Sequence, residues 1–345
     1  MPDNLLKQLI ATPSFSGKEK EATDLLESFL INKHLHPNRK GNNLWLSSAA
    51  WDNHKPVILL NSHIDTVKPV AGWTKDPFTP IEEDGKLYGL GSNDAGASLV
   101  CLLQTFLLLS GKEQPNNFIF LASCEEEISG KNGIELVLPE LPAITLGIVG
   151  EPTGMQPAIA ERGLMVLDGT VRGKSGHAAR NEGENAIYKA IPVIEWFRNL
   201  HFPLESPLLG PVKTTVTMVE AGTQHNVIPD TCRFTVDVRS NECYSNEQLF
   251  ESIAARCGCE IQARSFRLNS SQIAPDHPLV QRAKALGLKP FGSPTLSDQA
   301  LMPFPSLKIG PGSSARSHTA DEFISLPEIE NAIPTYFKLL DNLHL

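Results

Sequence analysis

The chain has 345 residues, 41% of them hydrophobic and 20% charged, with 30 Lys plus Arg against 39 Asp plus Glu for a formal charge of −9. That length exceeds what one hydrophobic core usually organises, so two domains are expected, and the composition is that of a folded globular chain rather than a disordered one. The negative balance argues against a phosphate-backbone partner, so nucleic-acid binding is not expected.

The first thirty residues lack a basic start followed by a long apolar stretch, so neither a secretory leader nor a membrane span is expected. Ser16 and Glu19 have the spacing of a capping box, and Ala22, Leu25, Leu26, Phe29 and Leu30 recur on one helical face behind them. Short apolar runs at 57–60, 118–122 and 146–149 read as buried strands, alternating with helical stretches near 97–109 and 131–138, which is the rhythm of an α/β sheet. From about 164 the pattern changes to period-two strands at 164–171, 213–219 and 233–238, with helices near 184–198 and 246–255, an α+β module. After about 271 the first rhythm returns, with a helix near 278–286, a strand near 306–309 and a final helix opened by Ser325 and Glu328. The expected organisation is therefore an α/β domain built from 1–163 and 271–345, with 164–270 inserted between its halves. The cysteines at 101, 124, 232, 243, 257 and 259 are scattered through a large chain, which fits reduced thiols in cytoplasm; Cys257 and Cys259 have no second pair to complete a metal site and read as packing residues.

Acidic and histidine residues stand at the ends of the expected core strands, where open α/β sheets place their ligand crevice. The run 57–60 leads into His63 and Asp65, and a histidine whose second nitrogen is held by a carboxylate makes a good zinc ligand, although alone the pair more often marks a surface hydrogen bond. Asp94 follows a glycine-rich stretch just before a long apolar helix, where it would also serve as a helix cap. The run 118–122 ends in Glu125, Glu126 and Glu127, three adjacent carboxylates that must repel one another unless solvent or cations relieve them. The run 146–149 ends in Glu151 before Pro152, and His318 arrives from a distant part of the chain.

This ordered set resembles the di-zinc aminoacylase and carboxypeptidase family that contains acetylornithine deacetylase and succinyl-diaminopimelate desuccinylase. The resemblance covers nearly the whole chain and rests on His63-x-Asp65, the approach to Asp94, Glu126-Glu127, Glu151-Pro152-Thr153, Ser175-Gly176-His177 and Ser317-His318-Thr319. It implies two zinc ions per chain, for which Co2+ or Mn2+ can stand in: one held by His63 and Glu151, the other by Glu127 and His318, with Asp94 shared. Asp65 would orient His63, and Glu126 would take a proton from the attacking water and return it to the departing amine. The inserted module would be a lid and homodimerisation surface, with His177 reaching the partner's active site and Arg162, Asn226 and Arg239 gripping a substrate carboxylate. For His177 a turn-capping role stands beside this one, and for Arg162 and Arg239 salt bridging does.

The chain departs from the family pattern at Asp94-Ala95-Gly96-Ala97-Ser98, where the family often carries a lysine, and at Glu125-Glu126-Glu127, where a one-residue shift would exchange base and ligand. A P-loop fails at 169–175 because only three residues separate its glycines, and neither a G-x-S-x-G elbow nor an H-E-x-x-H helix is present. The resemblance points first to release of ornithine from N-acetylornithine in arginine biosynthesis, with N-succinylornithine and N-acetylcitrulline as variants. Its rivals are succinyl-diaminopimelate desuccinylation, cleavage of an amino acid from a carrier peptide, and a non-catalytic binding protein that keeps the fold.

Overall fold

A computed structural model describes residues 2–180 and 182–345. The chain forms two compact units: Met1–Ile159 with Ile273–Phe291 and Ser297–Leu345, and Ala160–Gln272 with Gly292–Leu296. Residues 160–163, which periodicity alone leaves with the first unit, fall in the second, where Glu161 and Ala160 pair antiparallel with Ser271 and Gln272.

In the first unit the strands Val57–His63 and Asn117–Ser123 are buried at every position, which requires cover on both sheet faces and explains their unbroken apolar sequence. Val57–His63 runs parallel to both Asn117–Ser123 and Leu146–Val149, and Ser306–Lys308 runs parallel to Leu146–Val149 in turn. An antiparallel ribbon, Asn38–Lys40 with Asn43–Ser47, extends the sheet beyond Asn117–Ser123. The parallel register sets His63 opposite Ser123 and Asn61 opposite Val149, so the segments leaving these strands emerge along one carboxyl-terminal rim.

The helix Ala97–Ser110 packs against this sheet and against Leu326–Leu340. With the turn before it, Ser92–Ser110 is long and apolar enough to cross a membrane by length and composition, but 72% of its window is buried inside the protein, as in a core helix. Two expectations change. The helix expected near 131–138 shrinks to Ile134–Val137 and a short 3-10 turn, Leu138–Glu140, because Gly133 precedes the first and Pro139 sits in the second. Nor does Ser16 cap the helix Lys20–Ile31: its hydroxyl donates to Asp65 at 2.7 Å, while the buried Glu19 carboxylate accepts from the N–H groups of Gly17 and Glu125 and from Asn42. The residues read as a helix start therefore tie the loops that surround the sheet rim. At the other end of the chain the expected box forms, with Glu328 accepting the Ser325 N–H at 3.0 Å.

The second unit is a 4-stranded antiparallel sheet in the order Lys213–Ala221, Thr231–Arg239, Met165–Arg172, Glu260–Ala263, with the helices Ala186–Arg198 and Asn246–Ala254. Alternate residues of its central strands, Met165, Leu167 and Val171 with Cys232, Phe234, Val236 and Val238, face the helices and form the core with Phe197. Gly169 is required there, since a Cβ would lie 2.2 Å from the Phe234 ring. A two-stranded ribbon, Gly176–His177 with Val227–Ile228, carries His177.

Candidate metal centre

At the carboxyl-terminal rim of the first unit, His63 is fully enclosed. Its Nδ1 lies 2.8 Å from the main-chain oxygen of Asp65 and 3.5 Å from that residue's carboxylate, an arrangement in which Nδ1 donates and Nε2 faces the site. Asp65 does more than orient this ring: its two carboxylate oxygens accept the N–H groups of Glu126 and Glu127 at 3.0 and 3.2 Å, so one buried aspartate sets the strand end and the glutamate turn together. The first of the three glutamates is spent elsewhere. Glu125 adopts a left-handed conformation and holds Asn132 through its carboxylate, leaving Glu126 and Glu127 to face the site.

Around His63 Nε2 stand Asp94 at 3.3 Å, Glu151 at 3.9 Å and Glu126 at 4.0 Å. His318 Nε2 lies 2.9 Å from Glu127 and 3.8 Å from the second oxygen of Asp94, so Asp94 stands between the two histidines. Two sets of candidate ligand atoms, His63–Asp94–Glu127 and His63–Glu126–Glu151, each fall within 4.8 Å of one another. All five residues expected to hold cations are thus brought together, with Glu126 beside them.

Packing this many carboxyls out of water has a cost that protons partly relieve. Burial and then the neighbouring Glu151 push the Glu126 carboxyl well above its ordinary range, and burial with Asp94 and Glu127 nearby raises Glu151 to about 8. The hydrogen bond to Glu127 raises His318 to about 9; His63 is also pushed well up, its burial being outweighed by its bonds to Asp65 and Asp94. One oxygen of Glu151 is buried with no hydrogen-bond partner. Imidazoles and carboxylates converging on such an orphaned atom fit a divalent cation.

Three further charged residues that the sequence reading passed over belong to this region. Asp298, on a 3-10 turn, accepts from Asn61 at 2.8 Å and Ser123 at 2.6 Å, and so joins the ends of two rim strands; burial raises it to about 6. Lys308 is a buried cation whose charge acts on Glu151 toward its ionised form. Glu322 accepts three main-chain N–H groups around Asp94. Only Glu322 had a visible signal, as the end of the 317–322 run.

The other expected site residues lie in the second unit. His177 is exposed, with Nδ1 accepting the Ala179 N–H at 3.1 Å, and Asn226 is exposed on the loop before Val227. The two arginines have partners within their own unit. Arg162 is buried and turns its guanidinium onto the main-chain oxygens of Leu209, Pro211 and Arg239. Arg239 forms a two-point pair with Asp237, at 2.8 and 3.0 Å. Both guanidinium groups are turned onto partners within the fold.

Residues 59–342 match the profile described as peptidase family M20/M25/M40. An acetylornithine deacetylase from Proteus mirabilis is 28% identical over 98% of this chain and 95% of its own length. A succinyl-diaminopimelate desuccinylase from Xylella fastidiosa is 26% identical over 98% and 96%. In three dimensions the chain is similar to a metallo-carboxypeptidase from Sulfolobus solfataricus, with a TM-score of 0.76, 17% identity and 99% of both chains covered. A dinuclear metal-binding peptidase from Bacillus subtilis gives 0.70 at 19% identity, covering 98% of this chain and 96% of the other.

Proposed function

From its membership of peptidase family M20/M25/M40, to which this chain belongs, we propose that it is an amidohydrolase that removes the N-acyl group of a small amino acid, N-acetylornithine first among them. The observation that carries the reaction type is the convergence of His63, Asp94, Glu127, Glu151 and His318 on one sheet rim with Glu126 alongside. The substrate rests on the full-length similarity to acetylornithine deacetylase.

In this reading His63 and Glu151 would hold one cation and Glu127 and His318 the other, with Asp94 serving both. Bound there, zinc would polarise the amide carbonyl and make a water acidic enough to attack at neutral pH. The chain's own contribution is positional and protic. Asp65 keeps His63 Nε2 turned inward, and a Glu126 carboxylate oxygen takes the proton from the attacking water and hands it to the amide nitrogen as the C–N bond breaks, leaving the carboxylic acid and the amine, between which the remaining acidic proton then passes to give carboxylate and ammonium. The comparison that tests the proposal is of initial rates on N-acetylornithine, N-succinylornithine, N-acetylcitrulline and N-succinyl-diaminopimelate with zinc- or cobalt-loaded protein. Highest kcat/KM on N-acetylornithine supports it, dominance of the succinylated diacid transfers the chain to desuccinylation, and silence on every amide leaves a binding protein.

The second unit serves in this reading as lid and as the face of a homodimer. Its strand Lys213–Ala221 is paired on one side only, and Met218 and Val219 on it are about half exposed. On the helix Ala186–Arg198, Tyr188 is 72% and Ile191 55% exposed. An open strand edge and an apolar helix face in one unit suit pairing with a second copy about a two-fold axis. Tyr188→Asp combined with Ile191→Asp is expected to convert a dimer into monomers in sedimentation analysis, without loss of bound metal; an unchanged sedimentation coefficient removes this face from consideration. No disulfide joins the six cysteines, which fits a reducing, cytoplasmic setting.

A further inference from the structure

We infer that Glu322 is a positioning residue for Asp94, through which the segment 317–322 governs both cation positions and not only the one His318 faces. The inference rests on the metal-centre reading of the rim. Asp94 sits in the turn before Ala97–Ser110, with dihedrals (φ −120°, ψ 96°) outside the helical range, so the N–H groups of this turn need partners that a helix does not supply. Glu322 supplies them. Its Oε1 accepts the N–H groups of Asn93 and Asp94, both at 2.9 Å, and its Oε2 accepts that of Gly91 at 3.0 Å. The Gly89 N–H donates to the Glu322 main-chain oxygen at 3.0 Å, and Glu322 is 2% exposed as a residue.

One enclosed carboxyl group therefore anchors the backbone that leads into the shared ligand, from Gly91 to Asp94 itself. Ser317 adds a hydrogen bond to the Asp94 side chain, and Asn93 exchanges bonds with the Ser313 main chain. The chain stretch that delivers His318 thus also sets where Asp94 stands. If Glu322 did no more than hold its own loop, its removal would cost the cation near His318 alone; if it sets Asp94, both cations suffer together.

Titration of metal-free protein with Zn2+ against a chromophoric chelator, and with Co2+ followed by its visible absorption, separates these outcomes. Wild type is expected to bind two cations. Glu322→Ala is expected to weaken both by about 10- to 100-fold and to alter the cobalt spectrum of each, the range seen when groups supporting metal ligands are removed. Glu322→Gln, which keeps an oxygen for Asn93 and Asp94 but turns an amide toward Gly91, should fall between. His318→Ala should weaken one cation only. The inference is overturned if folded Glu322→Ala binds both cations as wild type does, or loses just the one that His318→Ala loses. Should the alanine variant not fold, wild-type affinities in Glu322→Gln overturn it. A wild type that binds no cation removes the metal-centre reading, and this inference with it.

Discussion

Replacing Glu126 by Gln is expected to lower kcat by about 10²- to 10⁴-fold, the usual contribution of a positioned proton carrier, while KM and the two bound cations persist. The substitution is nearly isosteric, and the Glu126 main chain is fixed independently of its side chain, through the N–H bond to Asp65. What it removes is the ability to accept a proton. The experiment also decides between two roles, since Glu126 lies close enough to His63 and Glu151 to be a ligand itself. As a ligand, its amide variant would bind one cation fewer; as the base, it keeps both and fails in turnover. Glu127→Gln provides the contrast, because Glu127 faces His318 at 2.9 Å and its loss should appear first in metal content. Metal analysis beside steady-state kinetics on N-acetylornithine separates these cases, and full activity in Glu126→Gln would move the proton transfer to another group.

The strand-end candidates His63, Glu127 and Glu151 were legible because a parallel sheet dictates where the segments leaving its strands must go. Apolar runs at 57–60, 118–122 and 146–149 mark buried strands, and parallel pairing forces their carboxyl ends onto one rim, so the polar residue after each run must meet the others. Asp94 and His318 follow none of these runs; the family resemblance named them, and the fold brings them beside His63 and Glu127. Ser16 and Glu19 misled for the opposite reason: their spacing is a local signal, but both side chains reach partners remote in sequence, Asp65, Asn42 and Glu125, that outcompete a helix end. Asp298 was silent because its partners, Asn61 and Ser123, lie on strands whose proximity no spacing encodes. Arg162 looked available for recognition because the letters do not say that three main-chain oxygens would surround it.

Removing the cations with a chelator is expected to abolish turnover, and returning Zn2+, Co2+ or Mn2+ to restore it with release of protons into a weakly buffered solution. The direction comes from the metal-free site. Burial holds the Glu151 carboxyl at about 8, and the bond to Glu127 holds His318 at about 9, both above their ordinary values, so near neutrality each keeps a proton on an atom that a cation needs. Cation and proton therefore compete, and apparent affinity should climb as pH rises through about 8 and level off above about 9. The same shifts fix the sign for stability. Groups raised in the folded state stabilise it while they hold their protons, and that contribution is lost as pH climbs through those values, exposing carboxylates packed against one another. Metal-free protein should thus melt progressively lower from neutrality upward, and loaded protein should not, because the bound cations replace the missing protons. Melting curves for both forms across that interval, with proton release measured alongside, check the account; metal uptake that leaves the solution's pH unchanged would mean the site takes its ligands already deprotonated.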